Sequence, residues 1–156
     1  MTYEVIGLAP ETFQPLFGLS DAALRARGVI RREVGADGRF PCRITLEDAK
    51  PGDSVLLLNH ESHNAATPYR SAYAIFVNEK AREAASFHDE PPPVFRDRPI
   101  ALRIFDAAGM LIGADLARGA EVDLAIRRAF ADPRAAYIHA HNAAHGCFAA
   151  QITRAV

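Results

Sequence analysis

Apolar residues along this chain recur with a period of two more often than with the helical period near 3.6, so strands dominate the expected structure. Met1 to Leu8 is rich in β-formers and predicts a first strand, and Val29 to Val34 predicts a second, closed by Gly35-Ala36-Asp37-Gly38 as a hairpin turn. Phe40, Cys42, Ile44 and Leu46 then alternate with Pro41, Arg43 and Thr45, which predicts a half-buried strand with Arg43 facing away from the aliphatic side chains. Pro51-Gly52-Asp53-Ser54 is a turn signal. Val55 to Asn59 follows as a near-continuous apolar strand, and Tyr69 to Val77 as another.

The second half repeats the pattern. The polar, Ala-rich stretch from Asn78 to Ser86 fits a loop or a short helix. Asp89-Glu90-Pro91-Pro92-Pro93 is a rigid extended connection, because proline lacks the N–H that a helix interior or central strand requires. Ile100, Leu102 and Ile104 alternate with Ala101, Arg103 and Phe105; Asp106 to Gly109 turns the chain, and Met110 to Ala114 returns. The chain closes with an expected hairpin of Ala136 to Asn142 against Gly146 to Thr153.

Two segments carry helical signals instead. Ser20 suits an N-cap and Asp21 the positive end of a helix over 21–27, with Gly28 at the left-handed position that ends it. Glu121 to Phe130 places Val122, Ala125, Ile126, Ala129 and Phe130 on one stripe, and Asp132-Pro133 stops it. The expected fold is therefore α+β: a single domain over residues 1–156, with a mixed, mostly antiparallel β-sheet and about two α-helices.

Composition narrows the class of partner. The 156 residues are 49% apolar and 24% charged with a net charge of −1, which points to neither nucleic acid nor an anionic membrane. Runs such as Val55-Leu56-Leu57-Leu58 are far shorter than a membrane span, and Met1 to Leu8 lacks the pattern of a secretory signal. With no export signal, Cys42 and Cys147 are expected reduced and the protein cytoplasmic. Self-association stays open, and the residues name no cofactor.

Candidate chemistry concentrates near the C-terminus. On a strand, Tyr137, His139 and His141 share one face while Ile138 and Ala140 take the other, which suits the core. A three-residue loop over 143–145 would set His141 opposite Cys147; a shift of one residue would set it opposite Phe148. A second polar group follows the Val55 strand: Asn59, His60, Glu61 and His63, then Pro68-Tyr69-Arg70, expected as a loop bordering the histidine face. Arg43, Arg70 and Arg103 could clamp a carboxylate or phosphate.

Three chemical readings fit these residues. Cys147 could be a thiolate nucleophile activated by His141 and oriented through Asn142 or His139. His139 and His141, with His63 or with His60 and Glu61, could hold a divalent metal, although the preferred reading has none. Or Arg43, Arg70 and Arg103, with Tyr69 and His139, could line a pocket for a small anionic molecule without catalysis. Each has a plainer rival in a buried thiol, hydrogen-bonded imidazoles and surface ion pairs, and a structural or protein-interaction role without any small-molecule site accounts for all of them. The pocket for an anionic small molecule is the preferred reading, and no reaction is named by the residues.

Several blocks carry a resemblance: Phe40-Pro41-Cys42-Arg43, Leu56-Leu57-Leu58-Asn59, Pro68-Tyr69-Arg70, Ala74-Ile75-Phe76-Val77, Ala131-Asp132-Pro133, Tyr137-Ile138-His139, His141-Asn142 and Gly146-Cys147. In this order they resemble a bacterial family, domain of unknown function 1203, over most of the chain. The resemblance implies a small stand-alone soluble protein and brings no activity with it. Arg43, His139, His141, Asn142 and Cys147 fall in family blocks, as does His63. His60 stands where the pattern usually has an aromatic residue, which weakens a metal shell that depends on it.

Overall fold

The structure is a computed structural model that describes residues 1–156. Its nine strands are β1 (Tyr3–Ile6), β2 (Ile30–Glu33), β3 (Ser54–His63), β4 (Ser71–Asn78), β5 (Ser86–His88), β6 (Ile100–Phe105), β7 (Leu111–Ala117), β8 (Tyr137–Asn142) and β9 (Phe148–Arg154). Two α-helices join them, α1 (Asp21–Arg25) and α2 (Glu121–Phe130). Six strands form one sheet in the order β5-β1-β9-β8-β6-β7, and β2-β3-β4 form another. Every pairing between these strands is antiparallel, as an α+β chain with short turns requires. No helix is long and apolar enough to cross a membrane.

The largest core lies on one face of the six-stranded sheet. Ile100 and Leu102 of β6, Ile138 and Ala140 of β8 and Ile152 of β9 pack there against Val122, Ala125, Ile126 and Phe130 of α2. That is the stripe and the strand face expected from spacing. The helix keeps Glu121 and Asp123 in its first turn and Arg127 and Arg128 in its last, each complementing the backbone dipole. A second core, with Leu56, Leu58, Ile75 and Val77, lies against Phe13 and Leu24 and belongs to the smaller sheet.

Several expectations need correction. Residues 40–46 are not a strand but a tight turn, closed by the Leu46 N–H donating to the Cys42 carbonyl at 2.9 Å and by a left-handed Leu46, φ 55°. Alternation misleads here because the apolar side chains share no face. Cys42 and Ile44 enter the second core, Leu46 enters the first, and Phe40 packs on a third small cluster. Consequently β2 pairs with β3, not with the segment after Gly38. Asn59 to His63 is no loop either: β3 continues through it to a bulge before His63. The connection to β4 is residues 64–70. The stretch expected as loop or helix after Asn78 ends in β5, an edge strand too short to show periodicity. The return strand after Gly109 runs beyond Ala114 to Ala117.

The closing hairpin takes the second of its two registers. His141 lies opposite Phe148, and Ala149 is an extra residue bulged between this pair and the next, Ala140 with Ala150. The turn itself is closed by Asn142 N–H to Cys147 O (2.9 Å) and Gly146 N–H to Asn142 O (2.7 Å). Gly146 supplies the left-handed conformation, φ 79°, that this closure needs.

Candidate functional site

The face of the six-stranded sheet turned away from α2 carries the polar residues. Pairing of β6, β8 and β9 sets Arg103 beside His139, Phe105 beside Tyr137, and Gln151 on the other side of His139. The ends of β3 and β4 cover this layer. His63 stacks on Phe105 with ring centroids 4.2 Å apart, and Tyr73 meets His141 edge-on at 5.0 Å. His139 and His141 are thereby buried, each 2% exposed. Burial pushes both imidazoles down to about 4, helped at His141 by the nearby guanidinium groups of Arg103 and Arg43, so both rings are neutral at physiological pH. The His139 Nε2–H donates to Gln151 Oε1 (3.2 Å), and the His141 Nδ1–H to the Gly146 carbonyl (2.9 Å).

The residues expected in one site separate into distinct places. His63, Tyr137, His139 and Gln151 border a small cavity of about 170 Å3, together with Ser62. His63 uses both ring nitrogens, one toward the Tyr69 carbonyl at 3.0 Å and the other toward the Tyr137 hydroxyl at 2.7 Å. No three His, Cys, Asp or Glu side chains converge as a metal shell would require. Arg70 pairs with Glu61 at 2.9 Å with both side chains exposed, so it and Tyr69 sit at the surface beyond the strand ends. Arg103 donates to the Tyr73 hydroxyl at 2.8 Å within the buried layer.

Arg43, Asn142 and Cys147 come together elsewhere, on a larger cavity of about 660 Å3. That volume lies inside the range of about 300–1,000 Å3 typical of small-molecule sites. Its walls come from the turn over 143–147, the 39–43 segment, Arg98-Pro99 ahead of β6, and the outward side chains Leu57, Ala74 and Phe76 of the smaller sheet. The lining is largely apolar, includes Arg39, Arg43, Arg98 and His145, and contains no Asp or Glu.

Arg43 is held from several sides. Its backbone N–H donates to Phe76 O (3.1 Å) and its carbonyl accepts from Leu8 N–H (2.7 Å), which fixes it between β4 and the segment after β1. Its side chain is 2% exposed and donates to Phe148 O (2.8 Å), Pro41 O (2.6 Å) and the Cys147 sulfur (3.1 Å). No carboxylate stands beside this buried cation, and burial accordingly disfavours its charge. Arg98, by contrast, is neutralised by Asp48 at 2.6 Å. Cys147 is half-buried, and its sulfur also receives the Asn142 amide at 3.5 Å. The thiol therefore faces a guanidinium where His141 was expected. The hairpin register is the reason, since it directs His141 onto Gly146 O.

A protein-family model, described as Protein of unknown function (DUF1203), matches residues 39–154. The chain belongs to the DUF1203 family. The matched span runs from the 39–43 wall of the larger cavity to the end of β9, so every lining residue of that cavity lies within the DUF1203 region. No curated protein and no solved structure matches the chain.

Arg39, Arg98, His145 and Tyr73 were not expected at this site. Arg98 arrives through the pairing of Ile100 with Asn142 and the bond from Ala143 N–H to Pro99 O at 3.0 Å. Long-range pairing of this kind leaves no local mark in a sequence.

Proposed function

We propose that this DUF1203 protein binds a small anionic molecule, a carboxylate or phosphate on an apolar body, in the 660 Å3 cavity. The observation that carries the reading is Arg43: a buried guanidinium, bordering a mostly apolar cavity, with no carboxylate to balance it. An unbalanced charge in low dielectric is costly, and an anion entering the cavity offsets that cost. Arg39 at the rim adds a second cation without an ion-pair partner, and the walls lack any acid that would repel the ligand. Leu57, Ala74 and Phe76 suit the apolar body. Of the arginines proposed from sequence, Arg43 alone lines this cavity, and Arg70 and Arg103 contribute nothing to it directly.

Thermal unfolding tests the reading with three probes of similar shape: phenylacetate, phenyl phosphate and the cation phenethylamine. At about 100 times its Kd a ligand adds about 2.7 kcal/mol, which in a chain of this size raises Tm by roughly 5–10 °C. At least one anion is expected to raise Tm while the amine does not. Arg43→Met, which keeps the apolar stem, is expected to remove the shift, and Arg39→Gln to weaken it. No shift with either anion, or an equal shift with the amine, overturns the reading.

A further inference from the structure

The larger cavity contains a group that anion binding does not use. Cys147 presents its sulfur to that cavity, half-buried, with two N–H donors aimed at it: Arg43 Nη2 at 3.1 Å and Asn142 Nδ2 at 3.5 Å. A sulfur that accepts from a guanidinium lacking any carboxylate partner lies where that cation meets an approaching anionic reagent. Cys42 is the internal contrast. It is 1% exposed, lines neither the larger nor the smaller cavity, and its sulfur receives only backbone N–H groups, from Thr45 and Asn78.

We propose that Cys147 is a site of reversible mixed-disulfide formation with small disulfides that carry carboxylates near their sulfur atoms. The Cys147 thiolate attacks one sulfur of the incoming disulfide; a Cys147 S–S bond forms, the original S–S bond breaks, and the other half leaves as a thiolate that takes up the proton Cys147 gave to solvent. No outside oxidant is needed, since the incoming disulfide is the species reduced. The arginines at the rim and floor select the charge of the reagent, and the cavity volume accommodates one half of it as the adduct. This step rests on the anion-binding reading for its selectivity, but its chemistry is tested separately.

The intact protein is treated with oxidised glutathione, which is anionic, and in parallel with cystamine, which is cationic. Modification of Cys147 and Cys42 is followed by mass spectrometry. Each rate is divided by that of a free peptide spanning residues 142–150, so that the reagents' own reactivities cancel. Oxidised glutathione is expected to modify Cys147 with a normalised rate at least about tenfold above that of cystamine, as a field of fixed cations dictates. Cys42 is expected to stay unmodified, added salt to shrink the ratio, and the rim variant Arg39→Glu to reduce it several-fold in a protein whose core is untouched. No modification of Cys147, or equal normalised rates for the two reagents, overturns the proposal. A Tm rise with phenylacetate or phenyl phosphate in the unsubstituted protein, with no glutathione exchange at its Cys147, would sink the exchange chemistry and leave anion binding standing.

Discussion

The two faces of the six-stranded sheet solve the same burial problem with different materials. Toward α2, Ile138, Ala140, Ile152 and their neighbours form a contact in which Tyr3 alone brings a hydrogen-bonding side chain, its hydroxyl donating to Asp123 at 2.7 Å, so its stability is chiefly a matter of area and fit. Toward β3 and β4, the same strands bury His139 and His141 and half-bury Arg103 and Tyr137 among aromatic rings, each polar group needing a partner. The first face tolerates no loss of volume, whereas the second is sensitive to protons and to single hydrogen bonds. The second also frays at its end into the cavity beside Arg43 and Cys147. A face that must satisfy polar groups individually is a natural border for a binding site.

Truncating the apolar face should have the largest effect. Ile138 is fully buried between β6 and β9. Ile138→Ala is expected to cost about 2–5 kcal/mol through lost transfer energy and the cavity left behind. Urea unfolding monitored by circular dichroism measures it. A cost below about 1 kcal/mol would mean that this face is not the rigid one.

Acid should act on the opposite face. The folded state holds His139 and His141 at about 4, below the ordinary value near 6.5 that applies in the unfolded chain. The unfolded chain therefore binds the extra protons. Stability is full above pH 6.5 and is lost as pH falls toward 4, at about 1.4 kcal/mol per pH unit for each ring. Between pH 6.5 and 5 most carboxylates stay ionised, which isolates the histidines. Asp53 and Glu79, held near 2 by Lys80 and Arg31, yield only in stronger acid. His60 is also held below its ordinary value by burial, so His139→Phe, seated among Phe105, Phe148 and Tyr137, should remove about a third to a half of the slope. An unchanged slope would show that other groups carry the acid sensitivity.

How much of this contrast is legible in the chain follows from what sets each face. The α2 stripe and the in–out alternation of β6 and β8 are local patterns, and both appear where spacing places them. The aromatic–imidazole composition of the second face is also visible, since Tyr137, His139 and His141 alternate with Ile138 and Ala140. What covers that face is not, because β3 reaches it with His63 and β4 with Tyr73 through tertiary packing. The 40–46 turn fails as a strand for the same reason: its alternate residues serve three different cores. Arg43 and Cys147 are each visible as candidates. Their contact depends on a bulge at Ala149 and a turn at Leu46, neither of which carries a sequence signature.

The finest distinction between the faces is a single oxygen atom. The His63 Nδ1 faces the Tyr69 carbonyl, so it carries the ring proton and donates; Nε2 is then a bare acceptor for the Tyr137 hydroxyl at 2.7 Å. Tyr137→Phe keeps the ring that stacks on Phe105 at 5.3 Å and deletes only the donor. His63 is buried, so its Nε2 loses a partner that water cannot readily replace. The expected cost is about 1 kcal/mol, read as a lower urea midpoint with an unchanged slope. The double variant with Ile138→Ala pairs one change on each face of neighbouring β8 residues, and near-additive costs are expected if the two faces respond independently. Strong coupling would mean instead that β8 transmits packing from one face to the other, and the separation between an apolar face and a polar one would fail at the strand they share.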